Sequence, residues 1–103
     1  MIKIQINKTN DKYSSLVISG HSNYDEYGKD IICAGVSAIA TGGLNALINE
    51  NKSKISYRVN DGYVNVEMLD INDDKLQLIM DVIVTQLKTI EESYKKYVKI
   101  SEK

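Results

Sequence analysis

Proline, tryptophan and phenylalanine are absent from the 103 residues, and cysteine and histidine occur once each, as Cys33 and His21. A lone cysteine excludes an internal disulfide, and one cysteine with one histidine falls short of a zinc site, so no metal or cofactor is expected. Neither charge dominates: 13 Lys and Arg against 14 Asp and Glu leave a net charge of −1. That balance argues against electrostatically driven nucleic-acid binding. No apolar run is expected to approach the roughly 18 residues of a membrane-spanning helix. The alternating start "MIKIQINKTN" lacks the basic, apolar and small-residue layout of a signal peptide. A cytoplasmic protein with no membrane partner is the resulting expectation.

At this length the chain is expected to form one domain, residues 1–103, around a single core. "IKIQI" puts Ile2, Ile4 and Ile6 on one side of an extended chain, the period-two pattern of a half-buried strand. "NKTNDKYSS" supplies turn residues, and "SLVISG" reads as a second strand paired with the first. From Ile31 to about Asn49, Ile32, Val36, Ile39, Leu44, Leu47 and Ile48 follow helical spacing, with Asp30 as N-cap. Ala34, Gly35, Ala38, Gly42 and Gly43 are small, so something is expected to pack closely on this helix, either the sheet or a second subunit.

Two more strands follow, "SKISYRVN" and "GYVNVEML", joined at Asp61-Gly62, where a hairpin turn with positive φ at both central residues is expected. A helix starting near Asn72 carries Leu76, Ile79, Ile83, Leu87, Ile90 and Tyr94 on one stripe. The tail "KYVKISEK" alternates again, as a fifth strand or a frayed end. The expected class is α+β: a mainly antiparallel sheet of four to five strands packed with two helices. The order is strand, strand, helix, strand, strand, helix, possibly strand, with hairpins rather than repeated crossovers.

His21 and Cys33 stand twelve positions apart in "SGHSNYDEYGKDIICAGVSAI". Singly, such a cysteine reads as a buried spacer and such a histidine as a surface residue. Position adds meaning: with Asp30 as cap, Cys33 is the third helical residue, where unpaired N–H groups favour a thiolate and could form an oxyanion hole. A polar loop, "SNYDEYGKD", can bring the imidazole of His21 to the thiol as general base and then acid. Asp30 has two readings, a helix cap or a carboxylate orienting His21. Ser37, one turn on, either bonds near the thiol or back to the carbonyl at position 33. Gly20 offers an unusual backbone angle or room for a substrate strand. Tyr24 and Tyr27 either line a substrate pocket or cover the core.

The segment from "GH" through "YGKDIICAGVSAI" resembles the ribosomal-processing cysteine proteases. The resemblance implies a cytoplasmic homodimeric peptidase that removes the short N-terminal extension of large-subunit ribosomal protein twenty-seven, cutting after an aromatic residue. It places the nucleophile on Cys33 and the general acid/base on His21, with Asp30, Ser37 and Gly20 on further motif positions. Ser22 departs from the family, where alanine is common; the departure is expected to leave the chemistry untouched while altering the loop. A binding module with Cys33 as a packed spacer and a redox-sensing thiol protein are the competing readings.

Overall fold

The computed structural model describes residues 1–22, 24–26 and 30–103. Along the chain run β1 (Ile2–Thr9), β2 (Lys12–Ser19), α1 (Ile31–Asn51), a 3-10 turn (Lys52–Lys54), β3 (Ile55–Asn60), β4 (Tyr63–Met68), α2 (Asp74–Ser93) and β5 (Val98–Glu102). This is the expected α+β order, and the tail is a strand. The sheet runs β3-β4-β2-β1-β5. All neighbours are antiparallel except β1 and β5, which run parallel with Ile2 beside Val98 and Ile4 beside Ile100.

Strand directions correct one expectation. β2 and β3 are both antiparallel to β4, so α1 joins parallel strands; α2 does the same between β4 and β5. Two hairpins therefore alternate with two crossovers, each long enough to need a helix. The turns also differ from expectation. The pair with positive φ at both central residues is Asn10 (53°) and Asp11 (62°), between β1 and β2. At Asp61-Gly62 only Gly62 is left-handed, at 68°. Asn and Asp tolerate that region through their short polar side chains.

Both helices lay their apolar stripes on the core. Ile32, Val36, Ala40, Leu44 and Leu47 of α1 meet Leu76, Met80, Ile83, Val84 and Leu87 of α2 together with Ile2, Ile4, Ile6, Leu16, Ile18 and Val66 of the sheet. The close approach falls between the two helices of the same chain. A Cβ on Gly43 would come within 2.6 Å of the Ile83 side chain, and one on Gly35 would touch Ile90 at 3.4 Å.

By length and composition alone, Ile31–Lys54 could cross a membrane: its most apolar 18-residue window has mean hydropathy 1.8, against the expectation of no such run. Alanine, glycine, serine and threonine interrupt the large apolar residues of α1 without adding charge. Only 28% of that window is buried within the chain.

Candidate active site

Gly20 closes β2 at φ 92°, a conformation L side chains rarely adopt, and a Cβ there would run into the Met1 carbonyl. Its N–H donates to the Gly62 carbonyl at 2.9 Å, fastening the end of β2 to the β3–β4 turn. His21 follows, exposed, with its ring over Gly62; a Cβ on Gly62 would lie 2.8 Å from Nε2. The imidazole is therefore seated on the end of the sheet.

Asp30 is the N-cap of α1, with φ −77° and ψ 99°. Its Oδ1 accepts the N–H groups of Ile32 and Cys33, each at 3.0 Å. Its Oδ2 accepts the Tyr24 N–H at 3.1 Å and the Ser22 hydroxyl. Burial pushes this carboxyl up. The Ser22 hydroxyl and the N–H groups of Cys33 and Tyr24 outweigh that and hold it at about 2, below its ordinary 3.8. Of its two readings, the structure gives the cap: among the described residues no hydrogen bond joins Asp30 to His21. The same bonds correct the oxyanion-hole expectation. The Ile32 and Cys33 N–H groups are spent on the Asp30 carboxylate, and that of Ala34 donates to the Asp30 carbonyl at 3.1 Å.

Cys33 is half-buried. Its Sγ accepts the Ser22 N–H at 3.2 Å and lies 3.4 Å from Ser22 Oγ. Ser22, expected to be a neutral departure, is 3% exposed and wedged between Asp30 and the thiol. A buried hydroxyl needs a partner, and Ser22 finds one in the capping carboxylate.

His21 and Cys33 line one cleft of about 250 Å³ between α1 and the β3–β4 turn, with Val36, Ala40 and Val59 among its apolar walls. Among the described residues no hydrogen bond joins ring and thiol. Ser37 also lines the cleft; among the described residues its hydroxyl bonds neither to the thiol nor to the Cys33 carbonyl. Tyr24 lies elsewhere. Its ring packs edge-on against Tyr97 at 5.1 Å and Tyr94 at 6.1 Å, outside the cleft lining. Tyr27 falls outside the described residues. The hairpin tip, with Asp61, Gly62 and Tyr63, enters the lining without having been singled out.

A five-stranded sheet backed by two crossover helices, with a thiol at a helix start on the wall of an open cleft, is the construction of a small cysteine protease. The chain belongs to the cysteine protease Prp family, whose family model matches residues 1–99. It is 35% identical over 106 residues to the ribosomal processing cysteine protease Prp of Staphylococcus aureus, covering 100% of both chains. With the Bacillus subtilis protein of the same name it shares 32% over 108 residues, 98% of this chain and 96% of that one. Among solved structures, the essential ribosomal processing protease Prp from S. aureus in complex with a covalently linked product peptide superposes with a TM-score of 0.94. It is 33% identical and both chains are fully covered, at 100% each. The same protease in complex with a substrate peptide gives a TM-score of 0.88 at 32% identity, again covering 100% of each chain.

Proposed function

We propose that this cysteine protease removes the short N-terminal extension of large-subunit ribosomal protein twenty-seven, with Cys33 as nucleophile and His21 as general acid/base. The observation that carries the reading is that His21 and Cys33 line one cleft. His21 takes the thiol proton, and the thiolate attacks the scissile carbonyl. The imidazolium then protonates the leaving amine, and water hydrolyses the thioester. The two groups are within one cleft without touching, an arrangement that tightens when substrate binds.

The rest of the cleft suits an extended peptide. β3 is an edge strand beside it, with unpaired backbone groups able to take a further strand. Val36, Ala40 and Val59 offer an apolar wall for the aromatic residue before the cut. The relatives' name, ribosomal processing cysteine protease, and the peptide complexes of the S. aureus protein support this substrate class. The reading includes a cytoplasmic homodimer.

Mass spectrometry of the N-extended ribosomal protein after incubation with the wild type and with Cys33→Ala and His21→Ala tests it. The expected result is one cut after an aromatic residue, absent with both variants. An uncut extension with folded wild-type protein would sink the substrate assignment.

A further inference from the structure

Two glycines of the cleft lining, Gly20 and Gly62, have positive φ, at 92° and 68°. They face each other at the end of the sheet, one step past the pair that Ser19 of β2 forms with Tyr63 of β4. A left-handed turn residue is no reason in itself for glycine. The β1–β2 turn meets the same demand with Asn10 at 53° and Asp11 at 62°. What either residue would add at position 62 is a Cβ, and a Cβ there would stand 2.8 Å from Nε2 of His21 and 3.2 Å from Cε1. No carbon comes so close to a ring nitrogen without something shifting. His21 is exposed and its ring is the far end of a side chain, so the imidazole would move and the fold would not.

We propose that Gly62 is a positioning residue for the cleavage reaction: by lacking a Cβ it gives the imidazole of His21 its place on the cleft that also holds the Cys33 thiol. The inference rests on His21 being the general acid/base. Among the described residues no hydrogen bond orients the ring, so the surface it lies against sets where its nitrogens stand. That surface is fixed. The Gly62 carbonyl accepts the Gly20 N–H at 2.9 Å, and Gly20 is the residue before His21, so the turn and the base are tied at both ends. A general base works only within hydrogen-bond reach of the proton it takes. An imidazole pushed off the turn by one added carbon loses that reach.

The test compares Gly62→Asn and Gly62→Ala with the wild type, using Asn10→Ala as the control for left-handed strain at the opposite end of β2. Asparagine tolerates this backbone region, so Gly62→Asn should melt close to the wild type. Its kcat for peptide cleavage should fall by about 10²-fold, the effect of misplacing a reacting group by about 1 Å, with the loss in kcat exceeding any change in KM. Gly62→Ala fills the same space under added strain and should lose kcat alike. Asn10→Ala should melt earlier and keep its kcat.

His21 is the one histidine of the chain, so its ring resonances are unambiguous in an NMR spectrum. The wild type should show a nuclear Overhauser contact between the ring protons and the Gly62 α-protons, and both Gly62 variants should shift the ring resonances. A folded Gly62→Asn with wild-type kcat or unshifted ring resonances overturns the proposal. So does a wild type without the Overhauser contact, which decides the matter even where a variant fails to fold. The spectra need no substrate. An uncut ribosomal extension beside the expected spectra would therefore count against the substrate reading alone.

Discussion

α1 and α2 both begin at an aspartate whose Oδ1 takes two backbone N–H groups, from Ile32 and Cys33 at 3.0 Å and from Lys75 and Leu76 at 3.1 Å. Cys33 and Leu76 even share the same helical position, third after the cap. The helices part at the other carboxylate oxygen. Asp73 Oδ2 accepts the Lys54 ammonium at 3.1 Å, which also reaches Asp70 at 3.2 Å at the surface. Asp30 Oδ2 is buried and gathers the Ser22 hydroxyl and the Tyr24 N–H from the loop that carries His21. One cap anchors a helix to a surface charge pair, and the other anchors a loop to a thiol. The shared motif sets local structure; its second oxygen decides whether a site is built on it.

The largest effects separate the third residues. Cys33→Ala should abolish cleavage, by about 10⁴-fold or more, while changing unfolding free energy by no more than about 1 kcal/mol. Leu76→Ala should do the reverse. Leu76 is fully buried, and its truncation should cost about 2–5 kcal/mol in urea unfolding while the folded enzyme keeps its kcat. Equal effects of the two changes on stability would erase the distinction.

The caps themselves come next. Asp30→Ala removes the cap and strands the Ser22 hydroxyl and the Tyr24 N–H, an expected loss of about 2–4 kcal/mol together with impaired cleavage. Asp73→Ala should cost less and leave cleavage by the folded protein intact, since water replaces its bonds at the surface. Chemical denaturation of both variants decides between them.

Acid should sharpen the contrast. The folded Asp30 carboxyl, at about 2, lies below its ordinary 3.8. Its stabilisation is fully present above the unfolded value and is lost as pH falls from about 4 toward 2, an effect of about 2 kcal/mol. Asp30→Asn should flatten that limb of the stability profile. The Asp73 carboxyl is also lowered, first by the Leu76 N–H and then by Lys54, but at a half-buried surface site where salt screens the Lys54 charge. The smallest expected effect is that of Lys54→Met, a slight destabilisation that vanishes in high salt and leaves the cleavage rate unchanged.

Both caps could be read in the sequence because capping is local. Asp30 was expected in that role, and the second helix, expected to start near Asn72, is capped one residue later by Asp73. The strands and stripes were legible for the same reason, since the alternation of Ile2, Ile4 and Ile6 is a property of a few adjacent residues. The parallel pairing of β1 with β5 joins residues more than ninety positions apart, and local pattern carries no sign of it. His21 and Cys33 could be picked out as candidates, yet the seat of the imidazole depends on Gly62, reached through the Gly20 N–H, and that is a tertiary contact. The bonds of Ser22 to Asp30 and Cys33 join residues eight and eleven positions apart, and local pattern carries no sign of them either.

The parallel strand has a consequence for how the molecule is made. Ile2 lies on the lining of the cleft, and its N–H donates to the Tyr97 carbonyl at 2.8 Å, just before β5 begins. During vectorial synthesis β1 emerges first, and its hairpin with β2 can form early because the contacts are short-range. Its other edge waits until residues 98–102 have left the exit tunnel. The cleft wall at Ile2 is thus completed only by a strand translated more than ninety residues later, so the nascent chain carries its thiol and imidazole long before it has a finished place to use them.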